Sequence, residues 1–433
     1  MPQKVAFTTL GCRLNQAESD SMSEELAASG VAAAGAGEVP DVVVINTCTV
    51  TKEATKASRT AIRRAIRSYP DAKVVVAGCY AVSDPDEVRA IEGVDLLVGN
   101  DDKERFAEVL GVAGVTSPVL QIGGIKTTGL PYRARANLKV QTGCDEWCTF
   151  CIIPKTRGPL RSMDEERLLS EARAKVAAGA RELVLTGVHL GKYTYDNGGD
   201  ERSLIRLFQR LLAIEGVWRL RLSSILSQHL TDEVLAFMRD EPRMCRFLHV
   251  PLQAGHDSVL TAMHRPYDVA GFMDSIARTK AALPEVALAT DIIVGFPGET
   301  DEAFEATLDV VSQVGFSKLH VFRYSPRPDT PAAAMTDEVP PDVKRERSKR
   351  LIDLGNDIRA RFLSSHLGRP IEVLVEDERL VEGATVCSGQ TDDFIRVWFE
   401  GEGLLGSMVL LEGAEVRADG IRGGRVLEVT RRG

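Results

Sequence analysis

Six short apolar segments recur between residues 137 and 325, and a stretch of helical periodicity follows each one. They are NLKVQT (137–142), ELVLTG (182–187), WRLRLSSI (218–225), FLHVPLQ (247–253), ALATDIIVG (287–295) and KLHVFRYS (318–325). Strands that alternate with helices form parallel sheets through crossover connections. Because six such units exceed an ordinary dinucleotide-binding fold, we predict a partial (βα)6 barrel.

The flanking regions have different patterns. Residues 4–110 also alternate strand-like and helical segments, which predicts a small doubly wound α/β domain. Residues 121–136 mix Gly, Pro, Thr and Arg, which is typical of a linker. After a helix predicted over 342–366, short strand-like runs between Gly-rich turns predict a small antiparallel β-barrel. The predicted domains cover residues 1–120, 130–362 and 365–433.

Charge and hydropathy exclude some classes of protein. The formal net charge is -9, so the chain is not a globally basic nucleic-acid binder. The longest apolar runs are strand-sized, well short of the roughly 20 residues that span a bilayer. No secretory signal is visible at the N-terminus, and we therefore expect a cytoplasmic protein without a membrane partner.

Three cysteines follow the first segment of the central series. Cys144, Cys148 and Cys151 form a C-x3-C-x2-C pattern in QTGCDEWCTFCIIP. A structural zinc site usually takes four protein ligands, and no fourth Cys or His lies nearby in sequence. An iron–sulfur cluster held by three thiolates would keep one iron open for another ligand.

Three further cysteines each end a strand-like segment of the first region. Cys12, Cys48 and Cys79 occur in TTLGC, VINTC and VVAGC. A single cysteine in such a place is more often a small packing residue. Because the carboxyl ends of parallel strands share one edge of a sheet, three at equivalent ends predict a second thiol cluster.

These motifs resemble a known family. The spacing of Cys144, Cys148 and Cys151 is similar to the radical S-adenosylmethionine signature. Together with TLGCRLNQAES, VVINTCTVT, VVAGCYA, LTGVHLGKY, VPLQAGHDSVLTAMHRPY, DIIVGFPGET and FRYSPRPDTPA, it resembles the methylthiotransferase family over nearly the whole chain. The resemblance implies two [4Fe-4S] clusters: an auxiliary cluster on Cys12, Cys48 and Cys79, and a radical cluster on the other three.

The resemblance also implies an activity. The family replaces a C–H bond by C–S–CH3 with S-adenosylmethionine as cofactor, and an electron donor such as flavodoxin or ferredoxin. The motifs look most similar to the branch that modifies C2 of N6-threonylcarbamoyladenosine beside the anticodon of tRNA. The branches that modify N6-isopentenyladenosine in tRNA or an aspartate of a ribosomal protein are the alternatives. The C-terminal barrel is then a TRAM domain that binds RNA.

The chain departs from the family pattern at three places. Thr142 stands where the family usually has an acidic residue, and Ala254 stands where Ser is usual. The segment SSILSQHL lacks a proline often found after the paired serines. All six cysteines are kept, so the departures put the affinity for S-adenosylmethionine in doubt rather than the activity.

Residues at strand ends are candidates for binding S-adenosylmethionine or substrate, and turn or strand packing is the alternative for each. They are Thr186, Gly187, Ser223, Ser224, Gln253, Asp291 and Gly295. The segment GFPGET lacks the lysine of a phosphate-binding loop, so we predict that Thr300 caps a helix. His189, His249 and His256 show no metal-ligand spacing and are interpreted as structural, and Cys245 and Cys387 as packing residues.

A basic helical segment from Thr51 to Pro70 could contact RNA phosphates. Its arginines Arg59, Arg63, Arg64 and Arg67 are the candidate substrate contacts, and a solvated helix face is the simpler alternative. Residues 365–433 carry more acidic than basic side chains, so charge does not support RNA binding by that domain.

Two hypotheses of another kind stay open. A non-catalytic RNA-binding protein with zinc on its cysteines would contain no iron and would not cleave S-adenosylmethionine. A radical enzyme of another chemistry would keep its activity without Cys12, Cys48 and Cys79.

Overall fold

The computed structural model describes residues 3–35, 37–112, 114 and 134–431. The greater part of the predicted linker at 121–136, and the predicted boundaries at 120 and 130, lie outside the described residues.

The N-terminal sheet has five parallel strands in the order β2-β1-β3-β4-β5. The strands are β1 (Lys4–Thr9), β2 (Ala32–Ala33), β3 (Val42–Thr47), β4 (Lys73–Gly78) and β5 (Leu96–Val98). The helices are α1 (Arg13–Ala28), α2 (Lys52–Ser68), α3 (Cys79–Ser83), α4 (Pro85–Arg89) and α5 (Phe106–Val112). All six residues of β3 are buried, because α1 and α5 cover one face and α2, α3 and α4 the other. The predicted doubly wound domain is confirmed.

Six parallel strands form the central barrel as two three-stranded sheets. They are β6 (Arg135–Lys139), β9 (Glu182–Thr186), β10 (Arg219–Leu222), β11 (Phe247–His249), β12 (Ala287–Val294) and β13 (Lys318–Arg323). Isolated bridges from Leu220 to Met244 and from Ser224 to His249 join the sheets. The partial barrel is therefore confirmed. A short antiparallel ribbon of β7 (Gln141–Thr142) and β8 (Arg161–Ser162) follows β6.

Helices surround this barrel. They are α6 (Ile153–Arg157), α7 (Glu165–Ala177), α8 (Arg202–Leu212), α9 (Asp232–Asp240), α10 (Asp257–Ala262), α11 (Val269–Ala282) and α12 (Asp301–Val314). Alternate residues such as Leu183, Leu185 and Leu220 pack in the core with these helices. Since side chains alternate along a strand, the residues between them face the lumen of the barrel. Most are polar: Asn137, Lys139, Glu182, Thr186, Arg221, Ser223, His249, Asp291, Lys318 and His320.

A long helix, α13 (Pro341–Ser364), packs along β13 and leads to a closed five-stranded barrel. Its strands are β14 (Pro370–Val381), β15 (Ala384–Gln390), β16 (Arg396–Glu400), β17 (Met408–Arg417) and β18 (Gly420–Arg431). The predicted small antiparallel barrel is confirmed. One of its pairs departs from that pattern, because β16 and β18 pair in parallel where the barrel closes.

The small barrel contacts the lower end of the central barrel, where the strands begin. Phe394, in the turn between β15 and β16, has a left-handed backbone with φ of 71°. Its ring centroid lies 4.8 Å from that of Phe247 on β11. The two rings therefore form part of the lumen floor. Among the described residues, no helix is both long and apolar enough to cross a membrane.

Candidate iron–sulfur site

The loop that carries Cys144, Cys148 and Cys151 begins directly after β7. Gly143 has a left-handed backbone with φ of 69°, and a Cβ at this position would lie 1.7 Å from the carbonyl oxygen of Pro159. The amide of Cys144 donates a hydrogen bond to the carbonyl of Gly158 at 3.3 Å. Only glycine at 143 therefore lets the cysteine loop pack against the return segment.

Cys148 is the one buried residue among the three cysteines of this loop, and it has a cationic partner. Nη1 of Arg265 donates a hydrogen bond to Sγ of Cys148 at 3.1 Å. The guanidinium is held by the hydroxyl of Tyr267, which accepts from Nε at 3.1 Å and from Nη2 at 2.9 Å. That hydroxyl donates in turn to the carbonyl of Pro251 at 2.6 Å. This chain fixes the direction of the Arg265 hydrogen bond.

The other side of the loop is held by the segment after β9. Nε2 of His189 lies 3.0 Å from a carboxylate oxygen of Glu146, and Nζ of Lys192 lies 2.7 Å from the same oxygen. These contacts lower the pKa of Glu146 to about 2, with the His189 hydrogen bond as the largest cause. The interpretation of His189 as structural agrees with this geometry, since its imidazole positions the cysteine loop.

Cys12, Cys48 and Cys79 lie together at the carboxyl edge of the N-terminal sheet. A Cβ on Gly11 would lie 2.8 Å from Sγ of Cys48, so the loops after β1 and β3 touch. The hydroxyl of Ser58 donates to the carbonyl of Cys48 at 2.9 Å and fixes this loop against α2. The adjacent end of β4 brings Cys79 to the same edge. The three strand ends thus lie side by side at one edge of the sheet, and a thiol cluster there stays a prediction.

One carboxamide connects the two cysteine groups. Nδ2 of Asn100 donates to the carbonyl of Thr156 at 2.7 Å and lies 3.7 Å from Sγ of Cys79. Thr156 belongs to α6, which follows the loop of Cys151 directly. The cysteine edge of the N-terminal sheet thus contacts the mouth of the barrel.

A buried ion cluster reinforces this contact. Glu18 on α1 lies 2.6 Å from Nζ of Lys103 and 2.7 Å from Nη1 of Arg157, and Nζ of Lys139 lies 3.6 Å away. Burial alone would raise the pKa of Glu18, but these three cations hold it well below its usual range. Arg157 also donates to Oδ1 of Asn15 at 2.6 Å. The cluster leaves Glu18 ionised and joins α1 to β6 and α6.

The predicted cofactor contacts on β9, β10 and β12 lie in the upper lumen. The hydroxyl of Ser223 is buried and has no hydrogen-bond partner among the described residues. Ser224 lies 3.1 Å from Nδ1 of His249, and Oδ1 of Asp291 lies 3.1 Å from both His249 and His320. The Thr186 hydroxyl donates instead to the carbonyl of Leu138 at 3.1 Å, so its side chain is already satisfied.

The remaining predicted contacts are backbone positions. Gly187 packs closely, since a Cβ there would lie 3.1 Å from Oε1 of Gln141. Gln253 has a left-handed backbone with φ of 71°, and its amide donates to the carbonyl of Asp291 at 2.9 Å. The amide of Gly295 donates to Glu299 at 2.7 Å. Thr300 accepts a hydrogen bond from the amide of Ala303, which confirms the predicted helix cap.

Comparison with known proteins identifies the family. Residues 4–99 match the family described as "Uncharacterized protein family UPF0004", and residues 138–311 match the radical SAM superfamily. The threonylcarbamoyladenosine tRNA methylthiotransferase MtaB of Bacillus subtilis (strain 168) is 39% identical over 94% of this chain and 92% of its own length. The chain belongs to the methylthiotransferase family.

A second curated relative supports the family, and a solved structure has a similar fold. A tRNA-2-methylthio-N(6)-dimethylallyladenosine synthase of Novosphingobium aromaticivorans is 36% identical over 98% of this chain and 97% of its own length. The radical S-adenosylmethionine methyltransferase TsrM of Kitasatospora setae, with cobalamin and a [4Fe-4S] cluster bound, has a TM-score of 0.58 at 15% identity. It covers 77% of each chain. The latter likeness shows the fold alone.

Methylthiotransferases carry two [4Fe-4S] clusters and use S-adenosylmethionine, and the residues of this chain fit them. Burial raises the pKa of Cys144 to about 11, that of Cys48 to about 11 and that of Cys151 to about 12. These sulfurs are therefore neutral thiols until iron displaces the protons. Tetrahedral zinc would bring its sulfurs within about 3.8 Å of one another. Each group instead offers three thiols, which is the donor set of a [4Fe-4S] cluster that keeps one iron open.

The arginines predicted to contact RNA lie on α2. Arg63, Arg64 and Arg67 are exposed, whereas Arg59 lies 3.4 Å from Glu87 in an ion pair. Helix α2 begins near the cysteine edge and runs away from it. Along the helix axis, Arg67 lies about 22 Å from Lys52, the first residue of α2. The structure thus separates the far end of this basic face from the thiols.

Sequence reasoning missed several residues of the site. Arg265 and Asn100 contact cysteine sulfurs. Arg157 contacts Asn15 on α1, and His320 contacts Asp291. His320 is the third residue of β13, and its alternation with Lys318 on one face of the strand is the signal that could have found it. Arg265 lies 117 residues from Cys148, and no local pattern marks it.

Proposed function

We propose that this chain adds a methylthio group to C2 of N6-threonylcarbamoyladenosine beside the anticodon of tRNA. One observation carries the proposal: two groups of three cysteines meet across the Asn100 contact, at the open end of a radical S-adenosylmethionine barrel. The relatives named for threonylcarbamoyladenosine tRNA methylthiotransferase span most of the chain.

In this function each cysteine group has a separate task. Cys144, Cys148 and Cys151 would hold the radical cluster, and Cys12, Cys48 and Cys79 the auxiliary cluster. When bound, the clusters and S-adenosylmethionine supply one-electron cleavage of the sulfonium and a place for the transferred sulfur. The chain fixes both thiol groups in one frame, and the lumen excludes water from reactive atoms.

The barrel supplies the surroundings of the cofactor and the base. Ser223 offers a free buried hydroxyl, and Asp291 offers a carboxylate held by two imidazoles. Gln253 and Gly295 shape the rim through left-handed backbones at φ of 71°. Together with Thr186, Gly187 and Ser224, these are the proposed contacts of S-adenosylmethionine and substrate.

The rest of the chain serves the RNA. Arg59, Arg63, Arg64 and Arg67 are the proposed phosphate contacts on α2, and the C-terminal barrel is the proposed TRAM-like RNA-binding domain. A small reductant such as flavodoxin or ferredoxin is the proposed electron donor. The enzyme would act in the cytoplasm, where tRNA is its partner.

Mass spectrometry of nucleosides tests the function. In tRNA from a strain without this protein, 2-methylthio-N6-threonylcarbamoyladenosine should be absent and the unthiolated nucleoside should accumulate. The wild-type gene should restore the product, and so should Cys387→Ala, whose thiol lies in the core of the C-terminal barrel. Cys148→Ala should not restore it.

Other outcomes identify other functions. Loss of the 2-methylthio derivative of isopentenyladenosine instead would support the activity named for the Novosphingobium relative. An unchanged nucleoside profile would refute the tRNA function and leave the ribosomal-protein alternative. Stoichiometric zinc without iron in purified protein would refute a radical mechanism altogether.

A further inference from the structure

Two cations lie low in the barrel lumen beside one aromatic ring. Arg13 is the first residue of α1, and its Cζ lies 4.6 Å from the ring centroid of Phe394. Lys318 is the first residue of β13, and its Nζ lies 5.9 Å from the same centroid. Two elements distant in sequence thus bring positive charge to one place.

The neighbouring cations are paired with carboxylates. Glu182 lies 2.5 Å from Arg221, Glu372 lies 3.1 Å from Arg219, and Glu376 lies 3.3 Å from Arg135. In the part of the chain that the structure describes, neither Arg13 nor Lys318 has a side-chain hydrogen bond or a carboxylate within 4.0 Å. Arg13 and Lys318 are both half-buried, and an unpaired charge that is partly withdrawn from water is costly, so its retention indicates an anionic ligand.

Two further cations surround the same ring. Cζ of Arg221 lies 5.0 Å and Cζ of Arg135 lies 5.6 Å from the ring centroid of Phe394. Like charges this close together repel one another, and an anion among them would relieve the repulsion.

There is room for a ligand at Arg13. A cavity of about 440 Å³ lies between α1 and the strands β6, β9 and β14. Arg13, Asn137 and Val184 line it, and so do Arg135 and Glu376, which pair with each other. Cys12 lines the same cavity, so the space reaches the auxiliary cysteines. The site is therefore continuous with the catalytic region.

The wall above the two cations is polar. Asp291 contacts His249 and His320 at 3.1 Å each, and the buried Ser223 hydroxyl faces the lumen. An isopentenyl group gains little among such side chains, because apolar burial needs apolar neighbours. A carboxylate and a hydroxyl, as in a threonylcarbamoyl group, match this lining.

The depth of the lumen suits a base whose C2 faces the cysteine loop and whose N6 substituent points toward the floor. The cysteine loop lies at the carboxyl ends of the strands, and Lys318 lies at the start of β13. Lys318 is four residues below Phe322, about 13 Å along the strand. A base with C2 toward the cysteine loop would direct a substituent on N6 toward the floor.

We propose that Arg13 and Lys318 bind the carboxylate of the threonylcarbamoyl group of the target base. This inference rests on the proposed function and names the residues that distinguish this substrate from an isopentenyl-bearing one. Arg13 and Lys318 are specificity residues, and they do not touch the reacting C2 atom.

Two synthetic anticodon stem-loops test it, one with N6-threonylcarbamoyladenosine and one with the primary amide in place of the carboxylate. Full-length protein with both clusters should show kcat/KM about tenfold higher for the acid. In the double variant Arg13→Met, Lys318→Met the ratio should fall to about one. Lys349→Met, an exposed lysine 2.6 Å from Asp353, is the matched control and should keep the wild-type ratio.

Binding without turnover gives a second readout. The Kd of each stem-loop is measured by fluorescence anisotropy with unreduced protein. In the double variant the Kd for the acid should rise, and the Kd for the amide should rise far less. If the double variant loses iron, Lys318→Met alone and the charge-conserving Arg13→Lys replace it. Lys318→Met should lose part of the acid preference, and Arg13→Lys should keep most of it.

Two results would overturn the proposal. A wild-type enzyme that converts acid and amide equally, or a variant with full iron that keeps the preference, leaves the proposed function standing and refutes the anion site. A wild-type enzyme that cleaves S-adenosylmethionine but methylthiolates only an isopentenyl-bearing stem-loop refutes both.

Discussion

Nη1 of Arg265 donates a hydrogen bond to Sγ of Cys148, with 3.1 Å between the two atoms. A donor to a cluster sulfur stabilises the reduced, more negative state and raises the reduction potential. The guanidinium keeps its direction through two hydrogen bonds to the hydroxyl of Tyr267. With Cys148 as a proposed ligand of the radical cluster, Arg265 would be a positioning residue that also tunes that cluster.

Arg265→Gln should lower the reduction potential of the radical cluster by roughly 60 mV, which for one electron corresponds to a tenfold change in the equilibrium. An EPR-monitored redox titration measures it. The reduction potential of Arg265→Lys should lie between those of the wild type and Arg265→Gln, because lysine keeps the positive charge but lacks the planar guanidinium. An unchanged potential in Arg265→Gln with full iron would show that the contact is only structural.

Substitution of the cysteines should divide the two clusters. Cys12→Ala, Cys48→Ala or Cys79→Ala should lose roughly half of the iron, keep reductive cleavage of S-adenosylmethionine and make no methylthio product. Iron and sulfide analysis with product assays checks this. Cys245→Ala, a buried thiol outside both groups, should keep all the iron. Product formation by the triple variant would support a radical enzyme of other chemistry.

Glu18→Gln should destabilise the fold by about 3–5 kcal/mol, because it leaves buried cations without their carboxylate. The shift in thermal midpoint at constant pH measures it. Glu87→Gln, which breaks the half-exposed pair with Arg59, should cost about 0–1 kcal/mol. Equal effects of the two substitutions would contradict the role of the buried cluster.

The same carboxylate predicts a pH dependence. The pKa of Glu18 is lower in the folded chain than its ordinary value of 4.5. Its stabilisation is therefore complete above that value and declines as the pH falls toward the folded pKa. Wild-type protein should thus lose more stability than Glu18→Gln between pH 5 and roughly pH 3. Parallel curves would exclude this linkage.

The exposed arginines of α2 should contribute to tRNA binding through contacts with phosphates. The triple variant Arg63→Gln, Arg64→Gln, Arg67→Gln should weaken tRNA binding and reduce the slope of log K against log salt by roughly two units. Filter binding over a salt series measures both. Arg206→Gln, a half-exposed arginine on α8, is the control and should leave the slope unchanged. An unaltered slope in the triple variant would favour a merely solvated helix face.

The sequence predicted those parts of the site that depend on local pattern. The strands of the N-terminal sheet and of the central barrel follow from short apolar runs, and a cysteine after such a run must lie at the sheet edge. This reasoning predicts that Cys12, Cys48 and Cys79 lie at one edge of the N-terminal sheet. The helix cap at Thr300 could likewise be predicted from the residues of its own turn alone.

Contacts between distant segments could not be predicted in this way. Arg265 finds Cys148 across the barrel mouth, and Phe394 reaches the lumen floor from the C-terminal barrel. The parallel pairing of β16 with β18 depends on how that barrel closes rather than on the strand patterns. His249 was interpreted as structural, yet its nitrogen faces Asp291, because strand register alone decides which side chains meet.

The buried charges around Glu18 bear on how such chains can be recombined. Residues 4–99 and 138–311 match separate families, which suggests interchangeable modules. Yet Glu18 lies in the first unit, while Arg157 and Lys139 lie in the second. A chimera that exchanged one unit alone would have to reproduce this electrostatic complementarity, or it would bury uncompensated charge at the junction. The two units therefore depend on each other electrostatically. Grafting the first sheet onto another radical barrel requires that the acidic and basic partners be transferred together.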